Sequence, residues 1–120
     1  MSKGMGAERA GWKIAMTGFQ QVEQDCDSAR FEVTAPRGEA VAVEVRTTAQ
    51  VEHILARELG KEALSAGDRE AILAVAGRWL IDELIEHGGA VDPLLLLDSR
   101  LFQVPGAERR LLQECGLISQ

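Results

Sequence analysis

Residues 30–46 read Arg30-Phe31-Glu32-Val33-Thr34-Ala35-Pro36-Arg37-Gly38-Glu39-Ala40-Val41-Ala42-Val43-Glu44-Val45-Arg46. Phe31 and Val33, then Val41, Val43 and Val45, fall on odd positions, and side chains alternate across a strand. One face of a β-hairpin can therefore bury all five. Between the two runs, Pro36 fixes the φ of the second turn position and Gly38 tolerates positive φ near its close. Glu32, Thr34, Glu44 and Arg46 are left on the other face, which suits an antiparallel sheet wet on one side. Upstream, Trp12, Ile14 and Met16 alternate with Lys13, Ala15 and Thr17 and predict a further short strand. Residues 1–11 show no period and are expected to be a loose terminus, with a single domain over 12–120.

Helical spacing begins at Thr47. Thr47-Thr48-Ala49-Gln50 has the form of a capping box, and Val51, Ile54, Leu55 and Leu59 follow as an apolar stripe that Gly60 ends. A second helix is predicted over 65–88, opened by Ser65-Ala66-Gly67-Asp68 and closed by Gly88-Gly89. Its apolar arc is wide. Ile72, Val75, Ala76, Trp79, Leu80 and Leu84 form the face expected to meet the sheet, and Ile81 and Ile85 project roughly 60 to 100° beyond it. Such a helix either lies central in the domain or meets a partner.

The run Leu94-Leu95-Leu96-Leu97 is too short for its period to assign it. Asp92-Pro93 could open a short helix, but the shortness and the Gly-Gly and Asp-Pro flanks favour a buried strand returning to the hairpin. A last short helix is expected from Ala107 to Cys115, with Leu111, Leu112 and Cys115 on one side. The expected class is thus α+β, in the order β-β-β-α-α-β-α. A small antiparallel sheet, the hairpin plus one or two further strands, is covered on one face by two or three helices.

The 120 residues suffice for one core, and 46% hydrophobic with 27% charged is the balance of an ordinary globular chain. No apolar run approaches the ~20 residues of a membrane span, and the first residues lack the apolar segment of a signal peptide. A cytoplasmic location follows as the expectation. Acidic residues outnumber basic ones by 19 to 13, for a net charge of −6, and the Arg109-Arg110 doublet is flanked by Glu108. With few aromatic residues and no Tyr, this is a poor ligand for phosphates and stacked bases, so nucleic acid is not an expected partner. Arg outnumbers Lys by 10 to 3, which associates the chain with GC-rich bacterial genomes.

Chemistry-bearing patterns are sparse. Cys26 and Cys115 lack the density of a disulfide framework. Together with His53 and His87 they lack the paired spacing of a zinc site. Asp25-Cys26-Asp27 reads as an acidic loop in which neighbouring carboxylates disfavour a thiolate. His53 faces away from the Val51/Leu55/Leu59 stripe and is expected to be exposed. Nucleophile-elbow, dinucleotide and phosphate-loop motifs are missing. Only Asp82-Glu83-Leu84-Ile85-Glu86-His87 is dense in ionisable groups, with Glu83 and His87 one turn apart. No catalytic, metal or cofactor-binding residue is assigned.

Two functions are expected from this pattern. The first is a non-enzymatic binding or regulatory module acting through protein–protein contact, as a homodimer or with another protein. Ile81, Ile85, Leu94 and Leu96 are its candidate interface. The alternative is a small metal-dependent or acid–base hydrolase using Glu83, Glu86 and His87.

Overall fold

A computed structural model of the chain describes residues 8–9, 11–23, 26–87, 93–98 and 102–118. It has an α+β fold. Five strands, β1 (Glu8–Arg9), β2 (Trp12–Glu23), β3 (Cys26–Thr34), β4 (Ala40–Arg46) and β5 (Leu94–Leu96), form one sheet in sequence order. The helices are α1 (Ala49–Leu59), α2 (Ala66–Glu86) and α3 (Ala107–Glu114). No helix among the described residues is long and apolar enough to cross a membrane.

The hairpin forms as its alternation predicts. Phe31 pairs with Val43 and Val33 with Val41, and the Gly38 amide closes the turn onto Ala35 O at 2.8 Å with φ at +98°. Phe31, Val33, Val43 and Val45 are fully buried. Val41 departs from the pattern at 44% exposed, because β5 pairs only with Glu44–Arg46 and leaves the turn end of β4 without a described neighbour. On the wet face, Glu44 Oε2 accepts from Ser28 Oγ at 2.7 Å and from Arg46 Nε at 2.6 Å.

Several strand boundaries lie further out than the alternation suggests. Glu8–Arg9, inside the segment expected to be loose, pair with Lys13 and Trp12 around Gly11; residues 1–7 and 10 lie outside the described residues. β2 runs past Thr17 to Glu23, with a register shift between Met16 and Gly18. Such a bulge moves the apolar parity by one, so the continuation is not visible as a period of two. Cys26 and Asp27, expected in a loop, belong to β3, and Asp27 extends its inward parity, while Asp25 lies outside the described residues.

α2 starts where its cap predicts, whereas α1 starts one residue later than the expected Thr47–Gln50 capping box, because the Thr47 hydroxyl is engaged with Asp27 and Glu52 and Thr48 becomes the N-cap. Thr48 Oγ1 accepts from the Val51 amide, and Gly60 ends α1 in the left-handed region. Ser65 and Asp68 form the reciprocal capping box of α2. Gly88-Gly89, the expected stop of α2, and Asp92 lie outside the described residues.

The orientation of α2 corrects the sequence expectation. Ile81 and Ile85, placed there on an interface, are 0% and 8% exposed and belong to the same core cluster as Phe31, Leu111 and Leu112. Gly77 supplies the reason. A Cβ at Gly77 would lie 2.5 Å from Phe31 Cζ and 3.5 Å from Val45 Cγ2, so the Gly77 row is the one pressed on the sheet. Ile81 and Ile85 lie only about 40 and 80° from it. The other side is held by α3, where Cys115 Sγ donates to Ala71 O at 3.5 Å and Trp79 Nε1 donates to Glu114 Oε1 at 2.9 Å. Arg110 stacks on the Trp79 ring. The wide apolar arc is divided between sheet and α3, and α2 is the central helix of the domain.

β5 is a strand, as expected, but it runs parallel to β4 and makes the sheet mixed. It is also an edge strand, not one buried on both faces.

Candidate functional site

β5 joins the sheet through alternate residues. The Glu44 amide donates to Pro93 O and the Leu97 amide to Arg46 O, both at 2.8 Å. In a parallel pair the N–H and C=O of one residue point the same way and those of the next point oppositely. The backbone groups of Leu94 and Leu96 therefore face away from β4, toward a side on which no described strand lies. Their side chains are 47% and 54% exposed, and Val104, before α3, is 66% exposed.

Two adjoining hollows of about 670 and 570 Å³ run along this edge between α2, β5 and the start of α3, and share Leu80, Glu83, His87, Leu96 and Asp98. The structure thus brings Leu94 and Leu96 together with the acidic helix end, and separates both from Ile81 and Ile85. At that end, His87 Nδ1 lies 2.8 Å from Glu83 O, the backbone and not the carboxylate. No three His, Cys, Asp or Glu side chains among the described residues converge on a metal position. His53 is exposed on α1. Cys26 Sγ donates to Thr47 O and Cys115 Sγ to Ala71 O, so the two thiols occupy different parts of the molecule.

A second cluster lies inside. Asp27 of β3 is fully buried, and Glu52 of α1 is 8% exposed. Thr47 Oγ1 joins them by accepting from the Asp27 amide at 2.9 Å and donating to Glu52 Oε2 at 2.7 Å. Arg69 Nε of α2 stands 3.0 Å from Asp27 Oδ2. Its N–H is not directed at that oxygen, so among the described residues no N–H or hydroxyl hydrogen bond reaches either Asp27 oxygen. Thr47 thus ties the Glu52 carboxyl to the Asp27 backbone and sets two carboxyl groups in one buried space. Burial first, and then the neighbouring Asp27, push the Glu52 carboxyl up to about 7. A hollow of about 440 Å³, lined by Gln50, Glu52, His53, Glu62 and Arg69 among others, opens over the cluster.

The alternation did contain a signal for this cluster. Asp27 continues the odd parity of Ala29, Phe31 and Val33, and Glu52 lies inside the arc of Val51, Leu55 and Ala56. Each is a charged residue at an inward position.

No family model matches the chain, and neither a curated protein nor a solved structure does.

Proposed function

We propose that the chain is a non-enzymatic binding module that acts through protein–protein contact, as a homodimer joined along β5. The carrying observation is the open edge: a strand whose outward backbone groups meet no described strand, and whose Leu94 and Leu96 side chains are about half exposed. An open edge takes up an added strand through main-chain hydrogen bonds, and exposed side chains add apolar burial. A second copy in antiparallel orientation satisfies the same patch on both sides by two-fold symmetry. Burying the exposed half of each leucine contributes roughly 0.8 to 1.5 kcal/mol, and the adjoining hollows give the contact depth beyond three residues. Two thiols without a disulfide framework fit the reducing cytoplasm. The hydrolase alternative gains no support from Glu83, Glu86 and His87, whose imidazole turns to a backbone carbonyl.

Leu94→Lys together with Leu96→Lys tests the reading, since edge lysines oppose strand addition. The variant is expected to keep its fold by circular dichroism and to halve its mass by light scattering. A folded variant of unchanged mass would remove β5 from the interface. A parent chain that is monomeric yet binds another protein through Leu94 and Leu96 would replace the second copy with a different partner.

A further inference from the structure

We infer that Asp27, Thr47, Glu52 and Arg69 form a proton-operated clasp that holds α1 against the sheet and, through Thr48, holds the end of β5. The geometry places one residue from each packed element around a single carboxyl: Asp27 from β3, Thr47 from the β4–α1 junction, Glu52 from α1 and Arg69 from α2. With Glu52 protonated, its acid hydrogen supplies a donor for the Asp27 carboxylate, whose oxygens receive none from the described residues, and Thr47 links the two residues. Without that proton, two carboxylates face each other around one guanidinium in a buried space, and like charges that close repel strongly. Arg69 cannot turn wholly to Glu52, because its Nη1 donates to Leu64 O at 2.6 Å while its Nε stands by Asp27. Glu62, from the α1–α2 connection, lines the hollow over the cluster and adds negative charge there, and His53 is the other titratable group on that side.

The consequence reaches the edge strand. Thr48, next to Thr47, caps α1 and also donates from Oγ1 to Leu97 O at 3.0 Å, directly after β5. Loosening the start of α1 releases that bond. Proton loss from Glu52 is therefore coupled to the placement of β5, whether or not β5 binds a second copy. A folded-state carboxyl raised above its ordinary value keeps its favourable state below that raised value and loses it as pH rises through it.

Hydrogen exchange of the full chain, corrected for the intrinsic pH dependence of exchange, tests the clasp. One proton released near neutrality predicts about tenfold more opening at about pH 8 than at about pH 6. This is expected at the α1 amides from Val51 to Ala56 and at Leu97. Glu52→Gln keeps a donor toward Asp27 without a titrating group and should abolish the difference, while His53→Gln should leave it intact. Equal protection at both pH values in the parent, or a difference that persists in Glu52→Gln or disappears in His53→Gln, would overturn the inference. If Glu52→Gln does not fold, the ¹³C carboxyl titration of Glu52 in the parent decides. A midpoint near 7, with α1 amides shifting in step, supports the clasp, and an ordinary carboxylate midpoint ends it. Dilution separates this result from dimerisation, since the clasp lies within one chain and its pH effect should not depend on concentration.

Discussion

The Phe31 ring fills the space that a side chain at position 77 would need: a Cβ there would lie 2.5 Å from its Cζ and 2.6 Å from its Cε1. Both residues are buried, Phe31 completely, so the ring has no free volume to retreat into. In an exposed helix, Gly→Ala gains about 1 kcal/mol from propensity. Here overpacking should prevail, and Gly77→Ala should lose about 1 to 3 kcal/mol in urea denaturation. Adding Phe31→Leu should recover part of that loss relative to the sum of the two single changes. A stabilised Gly77→Ala would mean that α2 does not approach the sheet this closely.

That contact also explains how much of the fold could be read in advance. Alternation over Phe31–Val45 and the cap at Ser65 are local signals, and the elements they mark formed accordingly, while the α1 cap fell on Thr48 and not on the expected Thr47, whose hydroxyl a tertiary contact with Asp27 and Glu52 takes up. Rotation of α2 is a tertiary choice. A wide apolar arc alone does not say which part meets the sheet, and the deciding residue, Gly77, adds nothing to an apolar stripe. A glycine inside a helix marks close backbone approach as well as lowered propensity, and that reading would have turned Ile81 and Ile85 inward. Of the candidate site, Leu94 and Leu96 were legible as an apolar run, but their exposure depends on edge position and parallel pairing, which no short segment encodes. Since Ile81 is fully buried, Ile81→Lys should cost several kcal/mol. Retention of parent stability by that variant would restore it to the surface.

The acid side of the stability curve should be governed by groups of opposite sign to Glu52. The Lys61 ammonium, hydrogen-bonded to Asp68 Oδ2 at 2.8 Å, lowers the Asp68 carboxyl, and the Ser65 amide and hydroxyl add to this. On the wet face the Ser28 hydroxyl, then Arg46, lower Glu44. A lowered carboxyl contributes stability above its unfolded value that is lost as pH falls through the lowered one. Asp68→Asn should therefore cost about 1 to 2 kcal/mol at neutral pH and converge with the parent in acid. A constant difference across the range would assign the loss to packing instead of charge.

Cys115 should be slow to react. Burial, and then the Glu114 carboxylate beside it, push its thiol up to about 12, and thiolate is the reactive form. In a Cys26→Ser background, alkylation at about pH 8 should be much slower than that of a free thiol. It should accelerate sharply in denaturant. Rapid labelling of the native chain would show that the α2–α3 contact at Ala71 is not held.

If the β5 edge joins two copies, the mass of the unmodified chain in solution must depend on concentration. Sedimentation equilibrium at neutral pH should give twice the 13.0 kDa of one chain at high concentration and dissociate on dilution. A mass of one chain throughout, at concentrations where a contact burying Leu94 and Leu96 would be populated, would contradict it.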